Sequence, residues 1–415
     1  MLKKSLLSFA SLFVLGAGAA LGGEWEATTE IGAEARLFLN DPVFQGQSDD
    51  TVQPSLTFES DIRWRSDDGK HEFVFIPFMR ADSVDDQRTH ADLREGYYRY
   101  LSDGDWSLLA GVAKVFWGTT ESRHLVDIVN QTDAVEDIDE EDKLGQPMVM
   151  LSYLKDWGQL DFFILPFFRD RIFPGEEGRL RTPFVVNDDD VFFSDDEKRD
   201  VVDYAIRYAQ YFGDWDVGLS LFNGVSREPR LVSPLTTSGS TAEFFQLYDR
   251  ITQAGLDLQY TKDAWLWKFE GIVREGQGDT YTAAVAGFEY TLYQIFEKPW
   301  DLGILGEYLY DGRDDDIVLV AQGATTAAPI TAFENDVFAG ARLALNDIQD
   351  TAILAGAIVD ADDSSTALFI EAERRLGQSW TIELESRLFL NVDDENIFAA
   401  FEEDDFLNIR LAKYF

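Results

Sequence analysis

Beyond residue 22, apolar and polar side chains alternate with a period of two, in segments of about ten residues that recur along the chain. Between residues 380 and 390, Trp380, Ile382, Leu384, Leu388 and Leu390 point one way, and Thr381, Glu383, Glu385 and Arg387 the other. A helix would mix these two sets, whereas a strand separates them. The same separation sets Leu56, Phe58, Ile62 and Trp64 against Thr57, Glu59, Asp61 and Arg63. It also sets Trp265, Trp267, Phe269 and Val273 against Lys268, Glu270 and Arg274. Each such strand carries one apolar face and one charged face.

Eight short polar turns (66–69, 102–105, 156–158, 213–214, 262–264, 294–299, 346–350 and 377–379) alternate with nine longer, acidic stretches (40–50, 83–89, 118–145, 171–199, 225–247, 275–279, 312–334, 361–365 and 391–403), which separates eighteen strands. Trp25, Trp106, Trp157, Trp215, Trp265, Trp300 and Trp380 open strands that leave a short turn or the N-terminus. Tyr100, Tyr153, Phe212, Tyr260 and Tyr293 close strands that enter such turns. Amphipathic rings gathered at one level are what a membrane interface selects, and a soluble sandwich has no reason to place tryptophan repeatedly at one end. No run of 18 or more apolar residues follows residue 22, so helical spans are excluded. Lipid cannot hydrogen-bond backbone groups, so a sheet that spans it has to close. The expected fold is all-β: a transmembrane antiparallel β-barrel of about 18 strands, with short periplasmic turns and long acidic extracellular loops.

Residues 1–22 read as an export signal, with Lys3 and Lys4 at its start, an apolar stretch from Leu6 to Leu15 and small residues up to Gly22. That leaves 23–415 as a single barrel outside the cytoplasm. The whole chain of 415 residues has 35 Lys plus Arg against 77 Asp plus Glu, a formal charge of −42, which disfavours nucleic acid as a partner. With 45% hydrophobic and 14% aromatic residues it is too apolar for a disordered acidic protein. The absence of cysteine rules out disulfides, thiolate metal sites and a cysteine nucleophile, and three histidines (His71, His90, His124) leave little for a zinc site.

The chain ends Leu407-Asn408-Ile409-Arg410-Leu411-Ala412-Lys413-Tyr414-Phe415. A last strand that closes on a terminal aromatic, with Leu407, Ile409 and Leu411 at alternate positions before Phe415, resembles the outer-membrane barrels of Gram-negative bacteria. The resemblance implies that this segment, Phe415 above all, is read by the barrel insertion machinery, that outer-membrane lipid and lipopolysaccharide surround the protein, and that a homotrimer is a candidate assembly. Lys413 departs from the pattern by placing a charge on the outer face, which requires it to snorkel to the interface. The long acidic third loop, with Phe116-Trp117-Gly118 at its base, is similar to that of porin-like proteins whose substrate is unassigned.

Eighteen strands enclose more space than side chains fill and leave an aqueous channel. The candidate constriction is the third loop, 118–145, with Glu121, Asp127, Asp133, Glu136 and Asp137 among its acids and a helix-compatible stretch from Ser122 to Asn130. Inward-pointing charges divide into a basic wall (Arg63, Arg65, Arg80, Arg99, Lys114, Arg169, Arg207) and an opposing acidic wall (Glu371, Glu373, Glu383, Glu385, joined by Glu289 and Glu307) that Arg36, Arg342 and Arg387 interrupt. A transverse field between them would orient polar solutes; ordinary pairing across neighbouring strands is the plainer reading.

Catalysis finds little support. Ser122, His124 and Asp127 are near in sequence, but no nucleophile-elbow pattern surrounds the serine. Acidic runs such as 187–190, 314–316 and 402–405 suit loosely bound divalent cations at extracellular loops, without the twelve-residue calcium loop that would mark a specific site. No other cofactor is expected. The sequence points to a passive outer-membrane porin for small polar solutes and ions. Its alternatives are a substrate-specific channel for an organic acid, saccharide or hydrocarbon, then a hydrolase or a structural barrel.

Overall fold

The computed structural model describes residues 22–194, 199–232, 243–313, 329, 331, 333–394 and 396–415. Residues 1–21 of the stretch expected to be an export signal (1–22) and the acidic run 314–316 lie outside them. In chain order the strands are β1 (Glu24–Phe38), β2 (Val52–Arg65), β3 (His71–Asp82), β4 (His90–Leu101), β5 (Trp106–Ala113), β6 (Gln146–Lys155), β7 (Gly158–Leu165), β8 (Val186–Phe193), β9 (Asp203–Phe212), β10 (Trp215–Val225) and β11 (Arg230–Val232). They continue with β12 (Phe244–Tyr248), β13 (Arg250–Lys262), β14 (Trp265–Glu275), β15 (Tyr281–Ile295), β16 (Trp300–Asp311), β17 (Asn335–Ala344), β18 (Ala352–Asp360), β19 (Thr366–Leu376), β20 (Trp380–Leu390) and β21 (Phe406–Tyr414).

Eighteen of these form one antiparallel sheet in which sequence neighbours pair, and β1 pairs with both β2 and β21. The closing register runs from Glu30 opposite Tyr414 to Phe38 opposite Phe406, so the sheet has no free edge. Polarity is inverted relative to a soluble domain. Leu56, Leu219, Trp267, Val337, Ile370 and Leu411 stand exposed on the outside, while Glu34, Arg80, Asp257, Glu270 and Glu307 are buried within. An apolar belt of that extent around a closed sheet is the lipid-facing surface of a transmembrane barrel.

At the short-turn end, aromatic rings of adjacent strands meet: Trp25 with Trp64 (6.4 Å), Trp106 with Tyr100 (5.5 Å), Trp157 with Tyr208 (6.2 Å), Trp215 with Tyr260 and Trp265 with Tyr290 (both 4.6 Å). Lys298 caps the Trp300 ring at 3.9 Å. The Lys413 ammonium lies over Trp380 at 4.6 Å and over Phe415 at 5.2 Å, so the charge on the outer face is held by aromatic rings. The Phe415 amide donates to the carbonyl of Thr29, 2.9 Å away.

Two features depart from plain alternation. The acidic stretches 171–199 and 225–247 are not simply solvated loops, because β8 and β11 each pair with β12 in a separate three-stranded sheet. Beneath it Phe168, Val225 and Tyr248 form a small buried cluster. The apolar residues Val186, Phe192 and Phe193 flank the aspartates at 188–190 and stand opposite Phe244, Leu247 and Tyr248 of β12. The second departure is a bulge in β4: Ile76 faces Glu95 but Pro77 faces Leu93, leaving Arg94 as the extra residue. Proline cannot donate to the ladder, and a bulge at that point reverses which β4 side chains face inward.

Candidate functional site

Residues 118–145 leave the end of β5, cross the inside of the barrel and return to β6. At the base, Gly118 has φ of +151°, a conformation side chains disfavour, and a Cβ there would lie 3.0 Å from both a Glu270 oxygen and the His124 ring. Trp117 is buried edge-on against Phe163, with Arg207 over its ring at 5.2 Å. Asn130 closes the neck: its Oδ1 accepts from the Val115 amide (3.0 Å), and its Nδ2 donates to the carbonyls of Ala113 (3.0 Å) and Leu144 (2.9 Å).

The first limb, 119–129, is held by two buried carboxylates of the opposite wall. Glu270 on β14 accepts from the amides of Thr119 (2.7 Å), Thr120 (3.0 Å) and Val126 (3.2 Å) and from the Thr120 hydroxyl (2.7 Å). Glu307 on β16 accepts from the amides of Glu121 and Ser122 (2.8 Å each) and from the Ser122 hydroxyl (2.5 Å). The Val126 amide, which in a helix would bond the Ser122 carbonyl, is taken by Glu270 instead, and 122–130, helix-compatible in sequence, is irregular. Leu125, Val126, Ile128 and Val129 are buried in the same cluster as Ala205, Phe222, Ile251 and Ile272. Each large side chain buried like this contributes about 1.5–3 kcal/mol.

The second limb, 133–140, reverses the roles, since here the loop supplies carboxylates and the barrel supplies arginines. Arg94 binds Asp133 at 2.5 Å. Arg80 takes both oxygens of Glu136 through Nε and Nη2, while its Nη1 donates to the Ser55 hydroxyl (2.7 Å). Arg36 pairs with Asp137 (3.2 Å), and Arg88 donates to the carbonyl of Val135 (3.0 Å). On β20, Arg387 binds Asp139 (2.9 Å) as well as Glu371 (2.7 Å) and Glu385 (3.3 Å). Arg171 reaches Glu140 at 2.8 Å.

Asp127 lies between the limbs, almost fully enclosed. Burial pushes its carboxyl up to about 6, opposed by the Lys143 charge and by the Trp117 amide that donates to it. Charges that stay accessible at the edge of the loop nearest β17–β20 are unequal in sign. The Glu371 side chain is 42% exposed and Asp139 30%, with Glu141 and Glu373 also exposed, against 39% for Arg342, which pairs with Glu121 and Glu289. Glu141 lies within electrostatic reach of Glu121, Glu371 and His124. A small cavity, partly open to solvent, lies against the first limb, with Arg123, Lys143, Arg171 and Arg227 on its walls together with Glu121 and Glu140.

No protein-family model matches the chain, and no curated protein matches its sequence. Among solved structures it is similar to OccK3 (OpdO) of Pseudomonas aeruginosa, at 11% identity over 97% of this chain and 98% of that one, with a TM-score of 0.53. It is similar to OccK11 (OpdR) of the same organism at 9% identity, over 95% and 97% of the two chains, with a TM-score of 0.52. A mutant of the Rh. blastica porin aligns at 10% identity over 94% of this chain and 100% of that one, with a TM-score of 0.44. The fold is that of the outer-membrane porins.

Within this porin-type barrel the charged positions singled out in the sequence fall into separate groups. Of the seven basic ones, Arg80 reaches the acids of the third loop, and Arg169 bonds the carbonyl of Gly145 (2.8 Å) and Asp92 (2.8 Å). Arg63 pairs with Asp61, Arg65 and Arg99 with Glu72, and Arg207 with Asp257 in two bonds of 2.9 and 2.7 Å. Lys114, just past β5, is exposed. On the acidic side Glu383 pairs with Arg410, and Glu371 and Glu385 share Arg387. Sequence reasoning missed Arg94 and His90, which strict alternation within β4 assigns to lipid and the bulge turns inward. It also read Glu307 as wall charge, although that carboxylate and Glu270 cap loop amides. Ser122 and His124 have separate partners: the serine hydroxyl is bonded to Glu307, and the His124 ring meets Phe116 edge-on at 4.8 Å.

Proposed function

We propose that the protein is a passive outer-membrane channel for small polar solutes and ions, narrowed by its third loop, with a path along the edge of that loop facing β17–β20. The observation that carries this reading is the fixation of residues 119–140 to opposite walls of an eighteen-stranded barrel, with Glu141, Asp139, Glu371 and Glu373 left accessible beside Arg342. Such an excess of accessible carboxylate favours cations at the narrowest passage. Reversal potential in a planar bilayer under a potassium chloride gradient tests this. Cation preference is expected, weakened when Glu141 and Glu371 are both replaced by Gln; anion preference in the unmodified protein contradicts it.

A substrate-specific channel is the second reading, supported by the cavity beside the first limb. Its mixed basic and acidic lining suits an organic acid or a saccharide better than a hydrocarbon. Saturable block of the ion current by one solute of a series, lost in Arg171→Ala, supports specificity, whereas uniform passage of the series supports general diffusion.

A further inference from the structure

We propose that His90, Asp133 and Glu136 form a binding site for a first-row divalent transition-metal ion, with zinc as its probe, that clamps the third loop to the barrel wall. The site joins two parts of the chain: His90 opens β4, and Asp133 and Glu136 flank a turn closed by the Glu136 amide bonding the Asp133 carbonyl (3.1 Å). The β4 bulge sets His90 inward, opposite Arg80.

The proton on His90 is fixed by its neighbour. Nδ1 lies 3.1 Å from the carbonyl of Arg88, which can only accept, so Nδ1 carries hydrogen and donates. This is the arrangement that orients a metal-binding histidine through its second nitrogen. Nε2 then faces Glu136 Oε1 at 3.3 Å and Asp133 Oδ2 at 3.7 Å. Two buried polar atoms here have no hydrogen-bond partner, His90 Nε2 and Asp133 Oδ1, and Asp133 is 0% exposed. A nitrogen lone pair enclosed against two carboxylates is unfavourable unless a cation lies between them.

Geometry and charge both suit a metal ion. The three ligand atoms lie within 4.8 Å of one another. A tetrahedral ion with bonds of about 2.0–2.2 Å holds its ligands roughly 3.3–3.6 Å apart; His90 and Glu136 already stand at that spacing, and the widest separation closes by at most about 1.5 Å. Arg94 bonds one oxygen of Asp133 and Arg80 bonds both oxygens of Glu136, and the two arginines would act as outer partners that orient the ligands. The ion-pair network that includes both carboxylates contains five acids and four arginines, one positive charge short of balance. One imidazole with two carboxylates selects ions of the zinc, nickel or copper kind, whereas oxygen-only acidic loops select calcium and magnesium.

The test uses the full barrel refolded in detergent, with magnesium in excess to occupy exposed carboxylates. Bound zinc is counted after desalting, and folding is checked by heat-modifiable gel migration. The expected result is one zinc per barrel, lost or weakened at least tenfold in His90→Gln and in Asp133→Asn and retained in His71→Gln. Two variants keep the test open if one does not fold. Zinc that is absent from the unmodified barrel overturns the proposal. Zinc that persists in both variants overturns it as well.

Discussion

The two limbs of the third loop are fixed to the barrel by opposite chemistries. In the first limb the barrel contributes two carboxylates, Glu270 and Glu307, and the loop contributes backbone amides and hydroxyls. In the second, the barrel contributes arginines and the loop its acids. The difference separates what a side chain specifies from what a backbone specifies. Acidic residues at 133–139 need basic partners, and their identity can be read. Amides are present at every residue but proline, so a loop docked through them has no compositional mark.

The contrast can be broken from either side. The largest effect is expected for Glu270→Ala, which removes the shared acceptor of three buried amides; at about 1–3 kcal/mol for each unsatisfied group, the first limb loses on the order of 5 kcal/mol of attachment. Hydrogen exchange should accelerate across 119–126 while 133–139 stays protected, and Glu270→Gln should restore part of the protection. Arg80→Ala strands Glu136 and is expected to cost about 3–5 kcal/mol, releasing the second limb instead. Adding Glu136→Ala should recover part of that loss; a double-mutant cycle with no coupling would remove the ion pair from the account.

A smaller effect concerns Asp127 between the limbs. Its folded value of about 6 exceeds the ordinary 3.8, so its contribution to stability is fully present below pH 3.8 and is lost as pH rises toward 6. The thermal midpoint should therefore fall over that window relative to Asp127→Asn, by the equivalent of at most about 3 kcal/mol. Parallel curves for the two proteins would show that the carboxyl is not taken up as described. The smallest effect is expected at Arg63, which pairs with Asp61 and is half exposed: Arg63→Ala should change stability by no more than about 1 kcal/mol and leave exchange in both limbs unaltered.

The fold was legible because period-two alternation and the tryptophans at strand starts both follow from a closed sheet in lipid, and the eighteen strands with eight short and nine long connections appear at the predicted places. The partners within the barrel were less legible. Arg94 and His90 face inward because a single extra residue opposite Pro77 shifts the phase of β4, and the mark of that bulge, Pro77, lies on the neighbouring strand rather than in β4. Leu125, Val126, Ile128 and Val129 were overlooked beside the loop's acids, although apolar burial inside the barrel holds the same limb. Glu307 shows the limit most clearly: the sequence shows a charge on an inward face, and only the folded chain shows that the charge is spent on two amides and a hydroxyl.

Single-channel conductance compared between the unmodified barrel and a variant with residues 119–143 replaced by a short glycine-serine link tests the central claim directly. If the third loop is the element that narrows the passage, the variant conducts several-fold more and loses most of its preference between cations and anions. Equal conductance and equal selectivity in the two proteins would contradict the account.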